Sequence, residues 1–224
     1  MSGFLDYFQI VVFILYVSLF AGRILYLHWH NRVRAIAVTI DSNKVRGVLS
    51  ICLIAAIITW FTVMLTGIFS PETQFLPPSL EIRLIDSVQT KLAGMILVIL
   101  GFIVFIAAWA TLGNSWRVGN REENDSELVT QGIYAISRNP IYLFFILYLT
   151  GIFLINGALI FLIFAVLVVL NLHYLTLEEE TFLSKVHGLS FRDYCAVTNR
   201  YITWLRIWPM SRLRLPSRHP AHSK

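Results

Sequence analysis

The sequence predicts an all-α, polytopic bundle of about five transmembrane helices, and three observations carry that reading. The 224 residues are 57% hydrophobic and only 14% charged, with a mean hydropathy of +0.69. That is too apolar for a soluble domain of this size. Charge-free apolar runs recur along the chain, and the Lys and Arg residues between them are distributed unevenly, as they are when one side of a membrane is cytoplasmic.

The first three runs, Tyr7–Gly22, Val48–Ser70 and Leu92–Leu112, are each long enough to cross a hydrocarbon core of about 30 Å. Apolar sequence begins at Phe4 without a basic leader or a small-residue cleavage pattern, so the first run reads as a mature membrane helix. A fourth stretch, Ile141–Leu177, carries no charge and is too long for one crossing. Asn156-Gly157 at its middle reads as the turn of a helical hairpin with two short legs. Five crossings result.

Residues 23–46 hold five cations, 71–91 two, 113–140 three and the segment after residue 176 eight. The bias places the N-terminus outside, the first and third loops inside and the C-terminus in the cytoplasm. The second loop, with Pro71, Pro77 and Pro78, reads as a simple connector. A net charge of +5 could suggest nucleic acid, but cations beside membrane helices fit an anionic leaflet instead. Cys52 and Cys195 are the two cysteines, too few for a disulfide framework or a metal cluster. The organisation expected is N-terminal transmembrane helices over 1–109, a core with the hairpin over 110–203, and a basic tail over 204–224.

Chemistry should then sit where polar segments flank the hairpin on the inner face. In the lead-in Leu128 to Tyr142, Asn139 stands at an N-cap position and Pro140 at the first helical position. A helix starting there presents free N–H groups and its positive dipole end beside Arg138, a place for an anion; the plainer alternative is a helix start with Arg138 snorkelling to headgroups. At the other end of the hairpin, Glu178-Glu179-Glu180 puts three carboxylates at the membrane edge. His173, Leu177 and Glu180 share one helical face, although a lone histidine there also suits a hydrogen bond to a neighbouring helix. Doubling back brings Arg138 and Asn139 together with Glu179 and Glu180, a set matched to a ligand bearing carboxylate, ammonium and hydroxyl groups.

These residues resemble the isoprenylcysteine carboxyl methyltransferase and phospholipid methyltransferase group of membrane enzymes. The resemblance rests on Leu112-Gly113-Asn114-Ser115-Trp116, then Leu128-Val129, Gly132, Tyr134, Arg138-Asn139-Pro140 and Tyr142, and later Glu179-Glu180, Leu183, Gly188, Phe191, Tyr194 and Arg200. It implies S-adenosyl-L-methionine as cofactor, held by Leu128, Val129, Gly132, Tyr134, Arg138, Asn139, Pro140, Tyr142, Glu179 and Glu180. It implies a lipid or prenylated acceptor reached from the bilayer, with Arg138, Arg200 and Glu180 as the residues acting on bound groups, and Trp116 as a further wall. Asn139 stands where the family usually has His, and Thr203 where a Pro often follows the late Arg; an amide cannot titrate near neutrality as an imidazole does. Arg218-His219-Pro220 in the tail lacks this surrounding pattern. Methyl transfer from a sulfonium is a direct displacement, so no covalent nucleophile is needed. Rival expectations are an NADPH-dependent membrane reductase of the sterol-reductase type and a non-catalytic scaffold or small transporter. On the methyltransferase reading, Glu180→Gln and Arg138→Ala weaken cofactor binding and leave the fold intact.

Overall fold

The computed structural model describes residues 2–30, 36–37, 58–60, 62–67, 69, 76–113, 118–119 and 128–202. Within them lie helices α1 (Ser2–His30), α2 (Ile58–Gly67), α3 (Val88–Leu112), α4 (Pro140–Asn156), α5 (Leu159–His187) and α6 (Leu189–Val197). Strands β1 (Ile36–Ala37) and β2 (Val118–Gly119) form a two-residue parallel pair. Most of the expected second run, part of the third loop including Trp116, and the tail lie outside the described residues.

Among the described residues, three helical segments are long and apolar enough to cross a membrane: Gly3–Gly22, Val88–Leu112 and Leu159–His187; α2 and α4 are apolar but shorter. The chain is thus a helical integral membrane protein. Exposed apolar side chains such as Val11, Ile14, Ile96, Ile103, Leu167 and Leu170 are what a lipid-facing surface requires.

The hairpin turns where the sequence placed it, with Gly157 as a left-handed C-cap at φ 69°. Its legs are unequal, however. Helix α4 has 17 residues, about 25 Å at 1.5 Å per residue, whereas α5 has 29 and continues through Glu178–Glu180 to His187. Glu, Leu and Lys are good helix formers, so loss of hydrophobicity after Leu177 does not end the helix. The acids are therefore carried on a rigid extension, not at a frayed end.

Helix α3 begins with a capping box: the Thr90 N–H donates to Ser87 Oγ (3.1 Å) and the Ser87 N–H to Thr90 Oγ1 (3.3 Å), satisfying donors that have no partner within the helix. It then packs antiparallel on α4 around an aromatic core in which Phe105 and Phe144 lie with centroids 4.6 Å apart. Tyr16 of α1 stacks on Phe144, and Trp60 of α2 stacks on Phe164 of α5. Between α1 and the hairpin turn, Asn156 Nδ2 donates to the buried Gln9 Oε1 at 2.7 Å, so this polar pair is satisfied where water is scarce. The β1–β2 pair joins the segments that follow α1 and α3.

The proline-containing second loop is more than the simple connector expected. The N–H groups of Leu159 and Ile160 donate to Ile82 O (2.9 Å) and Leu80 O (3.0 Å), and the Leu84 N–H donates to Gly157 O (2.8 Å). The loop thus supplies acceptors to the opening turn of α5 and a donor to the hairpin turn. Backbone groups need such partners, and this loop has them to give.

Close approach of α3 and α4 depends on Gly94 and Gly151. A Cβ at Gly151 would stand 2.6 Å from Gly94 O and 2.7 Å from Val98 Cγ2. Small residues at such crossings let two membrane helices reach contact distance. Gly151→Val is accordingly expected to cost about 2–3 kcal/mol through overpacking, read as a lowered Tm of the detergent-solubilised protein; an unchanged Tm rules out the tight crossing.

Candidate functional site

The site begins with a short lead-in and a strap. Residues Gly132–Ala135 form one 3-10 turn, after which the chain runs to Asn139 and enters α4 at Pro140. Asn139 occupies the N-cap position, but its side chain makes no capping hydrogen bond. Its Nδ2 instead donates to Arg200 O (3.3 Å) and to Glu180 Oε1 (3.5 Å). An amide in this place gives a tie that does not titrate.

The segment after α6 is laced onto that lead-in mostly through backbone groups. The N–H groups of Arg138 and Asn139 donate to Asn199 O and Arg200 O, both at 3.1 Å. Ser137 Oγ, fully buried, donates to Arg200 O, Thr198 Oγ1 to Ala135 O, and Tyr194 Oη to Tyr134 O at 2.6 Å. Burial pushes the Tyr194 phenol up from its ordinary pKa, so it remains a donor at physiological pH. These contacts fix Arg200 relative to the start of α4.

At the centre one carboxylate holds two guanidinium groups. Arg138 donates from Nη2 and Nε to Glu180 Oε1 at 2.9 and 3.2 Å, and its Nη1 donates to Thr198 O (2.7 Å) and Cys195 O (3.3 Å). Arg200 meets the same carboxylate in a fork, Nη2 to Oε2 at 2.7 Å and Nε to Oε1 at 3.1 Å. The side chains of Arg138 and Glu180 are 11% and 13% exposed, and that of Arg200 is 32% exposed. Arg138 is therefore an internal clasp and does not snorkel. The hydrogen-bonded carboxylate holds Arg200 above its already high ordinary pKa, so it stays charged at any physiological pH. Two cations against one anion leave a net positive charge.

Of the residues expected to act, Arg138, Asn139, Glu180 and Arg200 converge, and Tyr142 Oη donates to Glu179 Oε2 at 3.4 Å beside them. Leu128, Val129, Gly132, Tyr134 and Pro140 do not line the open cleft at this place. Val129 and Tyr134 pack around Leu112 of α3, Gly132 sits against Thr111, and Pro140 is buried at the start of α4. They hold the lead-in in place from the α3 side.

The cleft is an open groove of about 450 Å³ lined by Leu177, Glu180, Thr181, Ser184, Lys185, Phe191 and Arg200. Glu180, Thr181, Ser184 and Lys185 follow Leu177 at three, four, seven and eight positions, so they share its helical face. That spacing was available in the sequence, but sequence reading stopped at the acids. A cation pair, two hydroxyls and an aromatic ring in a space of this size suit a small polar ligand. Half-buried Cys195 has its pKa raised, chiefly by desolvation, which favours the neutral thiol. Among the described residues no group of three or more His, Cys, Asp or Glu side chains could hold a metal ion.

Compared with known proteins, residues 90–190 match the sequence model of the phospholipid methyltransferase family. The matched span takes in most of α3, the lead-in, α4, α5 and Glu180, and ends before Arg200; it bears out the resemblance drawn from the sequence. No curated protein matches the chain.

Proposed function

With residues 90–190 matching the phospholipid methyltransferase family, we propose that the chain is an S-adenosyl-L-methionine-dependent methyltransferase acting on a lipid-like acceptor, an isoprenylcysteine-type carboxylate or a lipid amine. The single observation that supports it most is the convergence of the two ends of the hairpin. Arg138 and Asn139 at its start and Glu180 at its end lie within one hydrogen-bonded cluster with Arg200, beside a cleft large enough for a cofactor.

The donor set fits that cofactor. Lys185 and Arg200 would hold its carboxylate, Thr181 and Ser184 would bond its polar groups, and Phe191 with Leu177 would pack on its ring. When bound, the cofactor supplies a methyl group on a sulfonium centre. The protein's part is alignment and exclusion of water, which for a direct displacement is most of the catalysis. Glu180 positions both arginines, Arg200 reaches the ligand, and Arg138 acts through Glu180. The charge bias of the loops supports a multi-pass orientation with the N-terminus outside and this cleft on the cytoplasmic face.

Thermal denaturation of the purified protein with S-adenosylhomocysteine or NADPH tests this reading. Saturating S-adenosylhomocysteine, at about 100 times its Kd, is expected to add about 2.7 kcal/mol and raise Tm by several degrees, with no shift from NADPH. Stabilisation by NADPH alone indicates a reductase, and by neither a scaffold.

A further inference from the structure

One polar pair lies outside the cluster just described. His173 Nδ1 and Tyr201 Oη are 2.8 Å apart, the histidine from the middle of α5 and the tyrosine from the strap that also carries Arg200. His173 stands seven residues before Glu180 on the same face, about 10 Å deeper along the helix. Between them lies Leu177, which lines the cleft and is 41% exposed, and one turn below His173 is Leu170, 61% exposed. A continuous stripe of α5 therefore runs from the charged cleft, past a half-buried imidazole, to a surface that faces lipid. A molecule entering from the bilayer meets His173 before it meets the cleft.

Resting on the methyltransferase reading, we propose that His173, held by Tyr201, accepts the proton released when an amine acceptor is methylated. An ammonium group has no lone pair and cannot attack a methyl group until it loses a proton. In the step, the amine nitrogen forms a bond to the methyl carbon while the sulfonium S–C bond breaks, its electron pair staying on sulfur. The one proton that the acceptor's ammonium loses before attack passes to His173 Nε2, and the product leaves as the methylated ammonium. The step uses the tautomer with its hydrogen on Nδ1, where Nδ1–H donates to Tyr201 Oη and Nε2 keeps the lone pair. A carboxylate acceptor is already anionic and needs no such group, so the pair selects an amine acceptor over a carboxylate one.

The ionisable surroundings suit the role. Tyr201 is the partner from the strap, and two turns up α5 lies Glu180, whose charge is taken by Arg138 and Arg200. Helix α4 contributes Tyr142, whose hydroxyl is on Glu179.

The test uses full-length protein in nanodiscs, with phosphatidylethanolamine or a farnesylcysteine analogue as acceptor. His173→Phe keeps a ring of similar size and is expected to lower kcat for phosphatidylethanolamine at least 100-fold, as loss of a general base does. Tyr201→Phe lowers it about 10-fold by freeing the imidazole. Both variants retain the stabilisation by S-adenosylhomocysteine, which reports folding and cofactor binding separately from chemistry. Equilibrium binding gives a second readout: the wild type prefers phosphatidylethanolamine to phosphatidylcholine several-fold at pH 8, and His173→Phe does not. Turnover of phosphatidylethanolamine within threefold of wild type in His173→Phe overturns the inference, as does turnover confined to farnesylcysteine. Absence of any S-adenosylhomocysteine effect in the wild type instead removes the methyltransferase reading, and this inference with it.

Discussion

Glu180→Ala is expected to unfold the C-terminal end of α5 from its strap and to abolish cofactor binding together. The carboxylate accepts from both Arg138 and Arg200, and its removal leaves two guanidinium groups facing each other with little water. Losing one partner of a buried pair costs about 3–5 kcal/mol, chiefly because the remaining charge is uncompensated. With Arg200 a third exposed, the lower end applies, about 3 kcal/mol, or roughly 8 °C in Tm for a chain of this size. Reading the sequence alone puts the effect in ligand binding only; the structure adds the loss of stability, because the acid is spent on two internal cations. Glu180→Gln keeps an acceptor for one arginine and should fall between wild type and alanine. The Glu180→Gln, Arg200→Gln pair should melt higher than Glu180→Gln alone, since the unpaired cation has gone. Additive effects of the two substitutions, measured as a double-mutant cycle, would contradict a shared carboxylate.

Where a few residue types restrict the backbone or where charge must find a partner in lipid, the sequence was legible. Asn156-Gly157 announced the hairpin turn because a glycine there can adopt the left-handed conformation, and Gly157 does so. Arg138 and the acids announced the site because a charge at the membrane edge has few alternatives to pairing. The strap was not legible. Its ties run through the carbonyls of Cys195, Thr198, Asn199 and Arg200, and every residue has a carbonyl. For the same reason the loop at Leu80–Ile85 looked like a connector although its backbone completes the first turn of α5. Asn139 was read correctly by position and incorrectly by use. Its amide is engaged by long-range partners that local capping rules do not see.

Gly157→Ala is the second substitution with a large expected effect, and it tests the turn end of the hairpin independently of the site. A Cβ on Gly157 would lie 1.7 Å from Ile85 O, a backbone atom, so the Pro77–Ile85 loop must move. Moving it breaks the bonds from Leu84 to Gly157 and from Leu159 and Ile160 to the loop, each worth about 1 kcal/mol net. The left-handed φ of 69° adds about 1 kcal/mol for a residue with a Cβ, giving about 4 kcal/mol in all. Gly157→Asn separates the two causes, because asparagine tolerates the left-handed region but carries the same Cβ. Equal damage from Ala and Asn, with faster proteolysis in the 76–87 loop, is the result expected of a steric clash; rescue by Asn would assign the cost to backbone conformation and leave the loop contact unsupported. The candidate cleft lies at the opposite end of the hairpin, so residual folded Gly157→Ala protein should bind S-adenosylhomocysteine with wild-type affinity. A matching loss of affinity would mean that the loop's grip on α5 is felt along the helix as far as Glu180.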